Sequence, residues 1–135
     1  MADELMLEIV TPERVLFSGN IEEVTIPGTE GEFGVLLGHA SLLSSLKFGE
    51  LNYTKDGRKS FYAVNTGYAE VTGKKVTILV ESAEKSDMID VDRAKRAREI
   101  AEQKLDKLSK DDPEYDKVKG ALDRAEARLK IAEKK

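Results

Sequence analysis

The residues best suited to acid–base chemistry are the single histidine, His39, and two nearby carboxylates, Glu30 and Glu32. They lie in residues 26–49, IPGTEGEFGVLLGHASLLSSLKFG, a stretch that holds five of the ten glycines. A histidine beside a carboxylate can act as a general base or activate a nucleophile. The sequence shows no nucleophile-elbow pattern and no His/Cys/Asp cluster with the spacing of metal ligands. The pattern favours solvated turn acids and a turn or partner-facing histidine, with a small hydrolase using His39 and Glu32 as the alternative.

A second candidate, residues 67–75 (GYAEVTGKK), superficially resembles a phosphate-binding loop. Five residues rather than four separate Gly67 from Gly73, and Lys75 occupies the position where that motif needs Ser or Thr. The segment also lies among strand-like residues instead of between a strand and a helix. We therefore predict a β-hairpin here.

A third candidate is a group of guanidiniums near one carboxylate. If the C-terminal helices pair antiparallel about residue 111, Arg93 lies opposite residue 129 and Asp90 opposite residue 132. Arg124 and Arg128 are four residues apart and share one helix face. Such a group is either a salt-bridged, solvated rim or an anion site, since guanidinium matches phosphate geometry. On spacing alone the solvated rim is favoured.

These candidates are positioned by a chain whose two halves differ in composition. Residues 1–87 contain 8 Lys/Arg and 14 Asp/Glu, a net charge of −6, whereas residues 88–135 contain 14 and 12, a net charge of +2. Nine of the ten glycines and all four phenylalanines precede residue 88. The composition predicts an α+β chain, with a β domain over residues 1–87 and a helical domain over residues 88–135.

The first domain is dense in strand and turn signals. Short strands are predicted at residues 5–10, 15–17, 22–27, 50–53, 61–71 and 76–80. Residues 55–58, Lys-Asp-Gly-Arg, predict a hairpin turn of the Asp-Gly type. So many short strands and turns are typical of a β-sandwich or a flattened barrel.

The second domain carries two apolar stripes of helical period. Their members are Ala94, Ala97, Ala101, Leu105 and Leu108, then Tyr115, Val118, Leu122, Ala125, Leu129 and Ala132. We expect Asp90 to cap the first helix and Pro113 to occupy the first turn of the second. The short connector predicts an antiparallel hairpin. Because the stripes are narrow and rich in alanine, they bury little apolar area, which suits a moving part.

Composition excludes several classes of protein. The 135-residue chain has a net charge of −4, which disfavours nucleic acid as a main partner. It has no cysteine, and therefore no disulfide framework and no thiolate zinc site. No apolar run approaches the roughly 18 residues of a membrane helix. The acidic N-terminus lacks the basic and apolar regions of a signal peptide.

The order of residues resembles the epsilon subunit of bacterial F-type ATP synthases along nearly the whole chain. The segments that carry this resemblance are residues 17–19 (FSG), 28–36 (GTEGEFGVL), 38–40 (GHA), Leu46 with Gly49, 89–94 (IDVDRA) and the C-terminal hairpin. The resemblance implies a ten-stranded N-terminal β-sandwich followed by two helices. It also implies a non-catalytic rotor subunit of the central stalk, which couples proton-driven rotation of the c ring to ATP synthesis.

The resemblance further implies partner contacts. The family's β-sandwich docks on the gamma subunit and on the c ring, which makes Glu30, Glu32 and His39 the predicted c-ring contacts. The family's helices switch between a compact and an extended state, and the extended helices restrain ATP hydrolysis in the catalytic head of alpha and beta subunits. Basic residues of the second helix then meet acidic residues of the beta subunit; here they are Lys117, Lys119, Arg124, Arg128 and Lys130.

Some members of the family bind ATP between the two helices as a regulatory ligand, although no cofactor is required and no metal site is implied. The residues that match that pattern are Glu84, Asp90, Arg93, Ala94, Arg124 and Arg128. One arginine of the pattern is replaced by Ile100 here, which predicts a weak or vestigial site. The resemblance implies a peripheral location on the cytoplasmic side of the bacterial inner membrane. The alternative is a non-catalytic β-sandwich and helical-hairpin module that binds another partner.

Overall fold

The computed structural model describes residues 4–134, in which ten strands are followed by a 3₁₀ turn and two α-helices. The strands are β1 (Leu5–Val10), β2 (Val15–Ile21), β3 (Glu23–Gly28), β4 (Gly31–Leu36), β5 (Leu42–Leu46), β6 (Gly49–Lys55), β7 (Arg58–Val64), β8 (Gly67–Val71), β9 (Lys75–Val80) and β10 (Ala83–Lys85). The 3₁₀ turn (Ser86–Met88) precedes α1 (Val91–Asp106) and α2 (Tyr115–Ala132). Two compact units result, a β unit that ends at Lys85 and a helical unit that begins at Ser86. The predicted ten-stranded sandwich followed by two helices is confirmed.

The strands of the β unit form a nearly closed sandwich. Their order is β10-β7-β6-β3-β5-β8-β9-β1-β2, and β4 pairs with β3. β3 connects the two layers, because it pairs with β6 at residues 23–25 and with β5 at Gly28. One layer is therefore β10-β7-β6-β3-β4 and the other is β5-β8-β9-β1-β2. Within the described residues β1 and β9 are the one parallel pair.

Alternation along the strands fills the space between the layers. In β1, Leu5, Leu7 and Ile9 are buried, while the residues between them are half-buried. Successive side chains of a strand point to opposite faces, so this period of two separates the core from the outer surface. The largest side chains that are fully buried all belong to this unit: Leu5, Leu7, Ile9, Ile26, Leu51, Ile78, Val24, Val35, Val64, Val71 and Val76.

The Asp-Gly hairpin turn predicted at residues 55–58 is confirmed between β6 and β7. Asp56 has φ 52° and Gly57 has φ 76°. Positive φ at both central residues is the geometry that the right-handed twist of the flanking strands favours. The Gly57 backbone nitrogen donates a hydrogen bond of 2.9 Å to Oε1 of Glu22, which ties the turn to the start of β3.

The glycine-rich stretch contains two strands, β4 and β5, for which the sequence predicted no bounds. In β4, Gly31 and Gly34 have no side chains, so the alternation of apolar and polar residues is interrupted at these positions. Two positions that flank β4's hairpin and the turn after it favour glycine, because their φ angles are positive: Gly31 has φ 130° and Gly38 has φ 87°. The predicted strand region 61–71 is also divided, into β7 and β8, by the break at residues 65–66.

The helical unit is a pair of helices joined by residues 107–114. Asp90 caps α1 as predicted, because its Oδ1 accepts a 3.0 Å hydrogen bond from the Arg93 backbone nitrogen. The prediction for Pro113 is wrong: α2 begins at Tyr115, and Pro113 lies in a turn closed by the bond from Tyr115 N to Asp112 O (3.0 Å). Proline suits the second position of such a turn as well as it suits a helix start.

The predicted stripes form the contact between α1 and α2. Ala101 packs with Val118 and Leu122, and Leu105 and Leu108 flank them. Ala97, predicted in the stripe, is exposed, whereas Ile131, which was not predicted, is buried. The 3₁₀ turn also packs against α2.

Candidate functional site

The predicted c-ring contacts lie along β4, a strand at the edge of its layer. Within the described residues β4 pairs with β3 alone. Glu30 lies at the tip of the β3–β4 hairpin, and Glu32 is the second residue of β4; both side chains are exposed. Two carboxylates therefore project from one end of this edge strand.

His39 lies beyond the opposite end of β4, in the turn that leads to β5. The turn is held by hydrogen bonds from His39 N to Leu36 O (3.1 Å) and from Gly38 N to Gly73 O (2.7 Å). The His39 ring is half-buried, and its Nδ1 lies 2.7 Å from the backbone oxygen of Ala40. Because a carbonyl oxygen only accepts, Nδ1 carries the proton, and Nε2 is the acceptor nitrogen of the neutral ring.

This separation removes the geometric basis for catalysis by Glu32 and His39. The four residues from Glu32 to Leu36 span about 13 Å of extended strand, at roughly 3.3 Å per residue. His39 follows Leu36 by three further residues, and its Nδ1 binds a carbonyl rather than an orienting carboxylate. The hydrolase alternative has no support in this arrangement. The c-ring contacts stay a prediction, in which the partner follows the length of β4.

The outer face of the β5-β8-β9-β1-β2 layer carries four neighbouring apolar residues that the sequence analysis did not single out. Pairing places Tyr68 beside Leu79, Leu79 beside Val10, and Val10 beside Val15. These four residues are called the apolar row. Tyr68 is 58% exposed, Leu79 49% and Val15 53%. Three of the four residues (Val10, Tyr68 and Leu79) line a groove of about 680 Å³.

One sequence signal could have found the apolar row. Residues 78–80 (Ile-Leu-Val) and residues 9–10 (Ile-Val) are apolar at consecutive positions, without the polar residue that alternation requires. Consecutive apolar residues in a strand indicate that both faces of the sheet carry apolar side chains. On this layer one face is the core and the other is the apolar row.

The segment that superficially resembled a phosphate-binding loop is the β8–β9 hairpin, as predicted. Gly67, at the start of β8, is required for the close packing of β8 against β9. A Cβ added to Gly67 would overlap the carbonyl oxygen of Leu79 and would lie 2.8 Å from Cα of Val80. Gly67 therefore permits the approach that aligns Tyr68 with Leu79.

The arginine cluster of the helical unit is only partly assembled. Arg93 and Arg124 are exposed, Arg128 is half-buried, and Ala94 is buried on the inner side of α1. The Arg124 guanidinium folds back along α2, where its Nη1 lies 3.3 Å from the position of a Cβ on Gly120. Since Ala101 packs against Val118 and Leu122, α1 and α2 run antiparallel. The Arg124 side chain thus points away from the end of the hairpin that holds Arg93.

Glu84, the remaining residue of the predicted ATP pattern, belongs to β10 in the β unit. It is half-buried and pairs in register with Ala63 of β7. Ile100, which replaces an arginine of that pattern, is 53% exposed on α1. The predicted ATP site stays a prediction.

Three lysines predicted to meet the beta subunit, Lys117, Lys119 and Lys130, are exposed on α2. Lys119 already has a partner on its own helix, because its Nζ lies 2.8 Å from Oδ1 of Asp123. This hydrogen bond, with the charge of Asp123, raises the pKa of Lys119 above its ordinary value of 10.5. A partner that recruits Lys119 must therefore compete with Asp123.

Among residues 4–134, no three His, Cys, Asp or Glu side chains are grouped as metal ligands. In the same part of the chain, neither helix has the length and apolar character needed to cross a membrane.

Two family models match the chain in succession. The model of the ATP synthase Delta/Epsilon chain β-sandwich domain matches residues 4–86, and the model of the Delta/Epsilon long α-helix domain matches residues 87–133. Two similar relatives are both ATP synthase epsilon chains: that of Geotalea uraniireducens is 50% identical and that of Geobacter sulfurreducens 48%. Each alignment covers 99% of this chain and 97% of the relative.

Solved structures show the same fold. A chain in the mitochondrial ATP synthase of Euglena gracilis, in an OSCP/F1/c-ring structure, aligns with a TM-score of 0.72 at 25% identity. That alignment covers 98% of this chain and 79% of the other. A chain in the central stalk/c-ring structure of Tetrahymena thermophila ATP synthase has a TM-score of 0.62 at 12% identity, with coverages of 96% and 97%.

Proposed function

Because the chain belongs to the ATP synthase Delta/Epsilon family, we propose that it is a non-catalytic central-stalk subunit of a proton-translocating F-type ATP synthase. The observation that carries this proposal is the match of both family domains, in order, over residues 4–133. Identity of about one half with ATP synthase epsilon chains supports the same role. In this role the subunit rotates with the c ring, and the chemistry of ATP belongs to other subunits.

The β unit provides the rigid contacts with the gamma subunit and the c ring. Its edge strand β4 carries Glu30 and Glu32 at one end and leads to His39 at the other, which suits a partner that lies along the strand. Polar side chains at both ends match the polar loops expected of the c ring. These contacts hold the subunit at the cytoplasmic side of the bacterial inner membrane, peripheral to it.

The helical unit restrains ATP hydrolysis. Its interface is made largely of alanine and medium-sized residues, so separating α1 from α2 exposes a modest apolar area. Lys117, Arg124 and Lys130 are exposed, and Arg128 is half-buried, on α2. These basic side chains would attract acidic groups of the beta subunit, and the attraction would weaken with salt.

ATP is the proposed regulatory ligand of the compact hairpin. The exposed guanidiniums of Arg93 and Arg124 are suited to phosphate oxygens, and Asp90 and Ala94 mark the start of α1 nearby. Arg124 must change its side-chain conformation to join Arg93, and Ile100 supplies no charge. ATP that binds only the compact form stabilises it by RT ln(1 + [L]/Kd).

Removal of the helical unit tests the regulatory role. The catalytic head is assembled with the full chain or with a chain that ends at Lys85, and ATP hydrolysis is measured. We expect faster hydrolysis with the shortened chain and equal binding to the gamma subunit. Equal hydrolysis rates would contradict inhibition by the helices, and failure of the full chain to bind the gamma subunit would favour the alternative binding module.

An ATP titration followed by NMR tests the ligand. Shifts are expected for amides around Arg93 and Arg128, and the Arg93→Gln variant should lose them. Arg98→Gln is the matched control, because Arg98 pairs with Glu102 (3.5 Å) and lies outside the ATP pattern. The absence of any shift at millimolar ATP would rule out regulatory binding in the hairpin.

A further inference from the structure

The two central residues of the β6–β7 turn, Asp56 and Gly57, have the chemistry of a spontaneous main-chain rearrangement. Asp56 is the one aspartate of the sequence that a glycine follows, and no asparagine precedes a glycine. Glycine has no Cβ, so no side chain on that residue shields its backbone nitrogen. Both residues are exposed, and a Cβ added to Gly57 would meet no atom within 4 Å. The space around this peptide bond is therefore open to solvent.

The rearrangement needs no reactant other than water. The Gly57 nitrogen attacks Cγ of the protonated Asp56 carboxyl group, a bond forms between the two atoms, and the amide proton leaves with the carboxyl hydroxyl as water. The product is a five-membered succinimide, and water then adds to one of its two carbonyls. Breaking the bond between nitrogen and Cγ restores aspartate. Breaking the bond between nitrogen and the main-chain carbonyl carbon gives isoaspartate, whose main chain runs through Cγ.

One hydrogen bond holds the attacking nitrogen in the folded turn. The Gly57 N–H donates to Oε1 of Glu22 at 2.9 Å. Glu22 is itself fixed beside the same hairpin, because its backbone nitrogen donates to Thr54 O at 2.8 Å. The bond to Glu22 resists rotation of the peptide plane that would bring the nitrogen to the Asp56 carboxyl group. The charge of Glu22 also opposes loss of the amide proton, since a nearby like charge disfavours an anion.

We propose that Asp56 is a site of isoaspartate formation, and that Glu22 restrains the reaction by holding the Gly57 nitrogen. Positive φ at Asp56 (52°) and Gly57 (76°) fits a two-residue turn with the ordinary number of main-chain atoms. Isoaspartate adds one carbon to that main chain, so the turn no longer fits the pairing of Lys55 with Arg58. The modification thus loosens this end of the hairpin. The inference concerns the covalent stability of the chain and does not depend on the proposed function.

A cleft beside the turn gives water access to the reacting groups. It has a volume of about 340 Å³, and both Glu22 and Asp56 line it. The carboxylate of the isoaspartate product lies on the same exposed turn. It is therefore accessible to an enzyme that methylates isoaspartyl carboxylates, which also provides a probe for the modification.

Ageing of the full-length chain in neutral buffer and in guanidinium chloride tests the site. Digestion after glutamate releases residues 51–70, a peptide in which Asp56 is the only aspartate. Mass spectrometry with electron-transfer fragmentation distinguishes isoaspartate from aspartate, and a protein isoaspartyl methyltransferase measures it independently. We expect isoaspartate at residue 56, and Asp56→Glu should abolish it because glutamate forms a six-membered ring more slowly. A chain that stays unmodified at residue 56 in both solvents would overturn the site.

Variants of the hydrogen-bond acceptor test the restraint. Glu22→Ala should raise the initial rate of isoaspartate formation in buffer about fivefold, the factor that one ordinary hydrogen bond contributes. Glu22→Gln should give an intermediate rate, because its amide oxygen still accepts the bond but carries no charge. Glu23→Ala is the matched control, since Glu23 is the next residue and is also exposed. Equal rates for Glu22→Ala and the wild type would overturn the restraint.

The samples in guanidinium chloride separate the hydrogen bond from other effects of the substitutions. The contact with Glu22 is absent in the unfolded chain, so the wild type, Glu22→Ala and Glu22→Gln should isomerise there at one rate, faster than the folded wild type. A difference that persisted in denaturant would overturn the restraint. Circular dichroism checks folding in buffer. If Glu22→Ala does not fold, Glu22→Gln decides, and a rate no higher than that of the wild type overturns the restraint.

Discussion

The β unit and the helical unit are stabilised by different kinds of core. Within residues 4–134, the largest fully buried side chains all lie in the β unit, on strands that include the sequence-distant pair β1 and β9. The contact between α1 and α2 is built from smaller or partly exposed groups, such as Ala101, Val118 and Leu122. A large aliphatic core resists local opening, whereas a narrow helical interface opens at low cost. The contrast predicts that the helical unit opens more readily than the β unit.

The largest expected effect tests the core of the β unit. Ile78→Ala should lower the free energy of unfolding of the β unit by about 3 kcal/mol, because it leaves a cavity between tightly packed layers. Leu122→Ala, in the helical interface, should reduce protection of helical amides and leave the β unit unchanged. Denaturant unfolding followed by tyrosine fluorescence, together with hydrogen exchange, measures both. Equal loss of protection in the two units would contradict separate cores.

A second effect tests how closely strands β8 and β9 of the β unit approach each other. Gly67→Ala should destabilise the β unit by about 2 kcal/mol, because the added methyl overlaps the Leu79 carbonyl and forces β8 from β9. Gly73→Ala is the matched control, since a Cβ there meets no atom within 4 Å. Thermal unfolding of the two variants gives the comparison. A similar melting temperature for both would show that the sheet accommodates the methyl group.

A smaller effect tests the N-terminal cap of α1. Asp90→Ala removes the acceptor for the Arg93 backbone nitrogen and should cost about 1 kcal/mol of helix stability. The loss should be confined to the first turn of α1, as measured by amide exchange. Asp111→Ala, an exposed aspartate of the helix connector, serves as the control. Loss of protection in the β strands as well would show that the helical unit and the β unit unfold together.

The smallest effect concerns the exposed pair on α2. The raised pKa of Lys119 means that its charged form is favoured in the folded state. Its contribution is therefore fully present below the unfolded pKa and is lost as pH rises through the folded pKa, above 10.5. Asp123→Asn should lower the pKa of Lys119, as measured by the NMR titration of its side-chain carbon signals. An unchanged midpoint would show that Asp123 is not its partner.

The two units also differ in how well the sequence predicted them. Helical spacing identified both helices, and the cap at Asp90 followed from local rules that need no tertiary information. Pro113 was misplaced because a turn and a helix start make the same demand on its φ. Ile131 was missed because it lies outside the predicted stripe, although it is buried in the structure.

In the β unit, turn chemistry and alternation predicted β1, β9 and the Asp-Gly hairpin. β4 received no bounds because Gly31 and Gly34 interrupt the period by which a strand is recognised. β5 received none because its apolar and polar residues come in adjacent pairs and do not alternate. The apolar row depends on pairing between strands that are distant in sequence, such as β1 with β9, and composition does not reveal that register. The Arg124 side chain extends toward Gly120, a direction that the spacing of charges alone did not predict.

The parallel pairing of β1 with β9 has a consequence for how the chain is made. A ribosome produces β1 long before its parallel neighbour β9, because residues 11–74 lie between the two strands. Until then β1 has β2 on one side and an open hydrogen-bonding edge on the other. Contacts of such long sequence separation form slowly, and domains fold as units during synthesis. The sandwich therefore closes only after β9 has been synthesised, and the helical unit follows it along the chain.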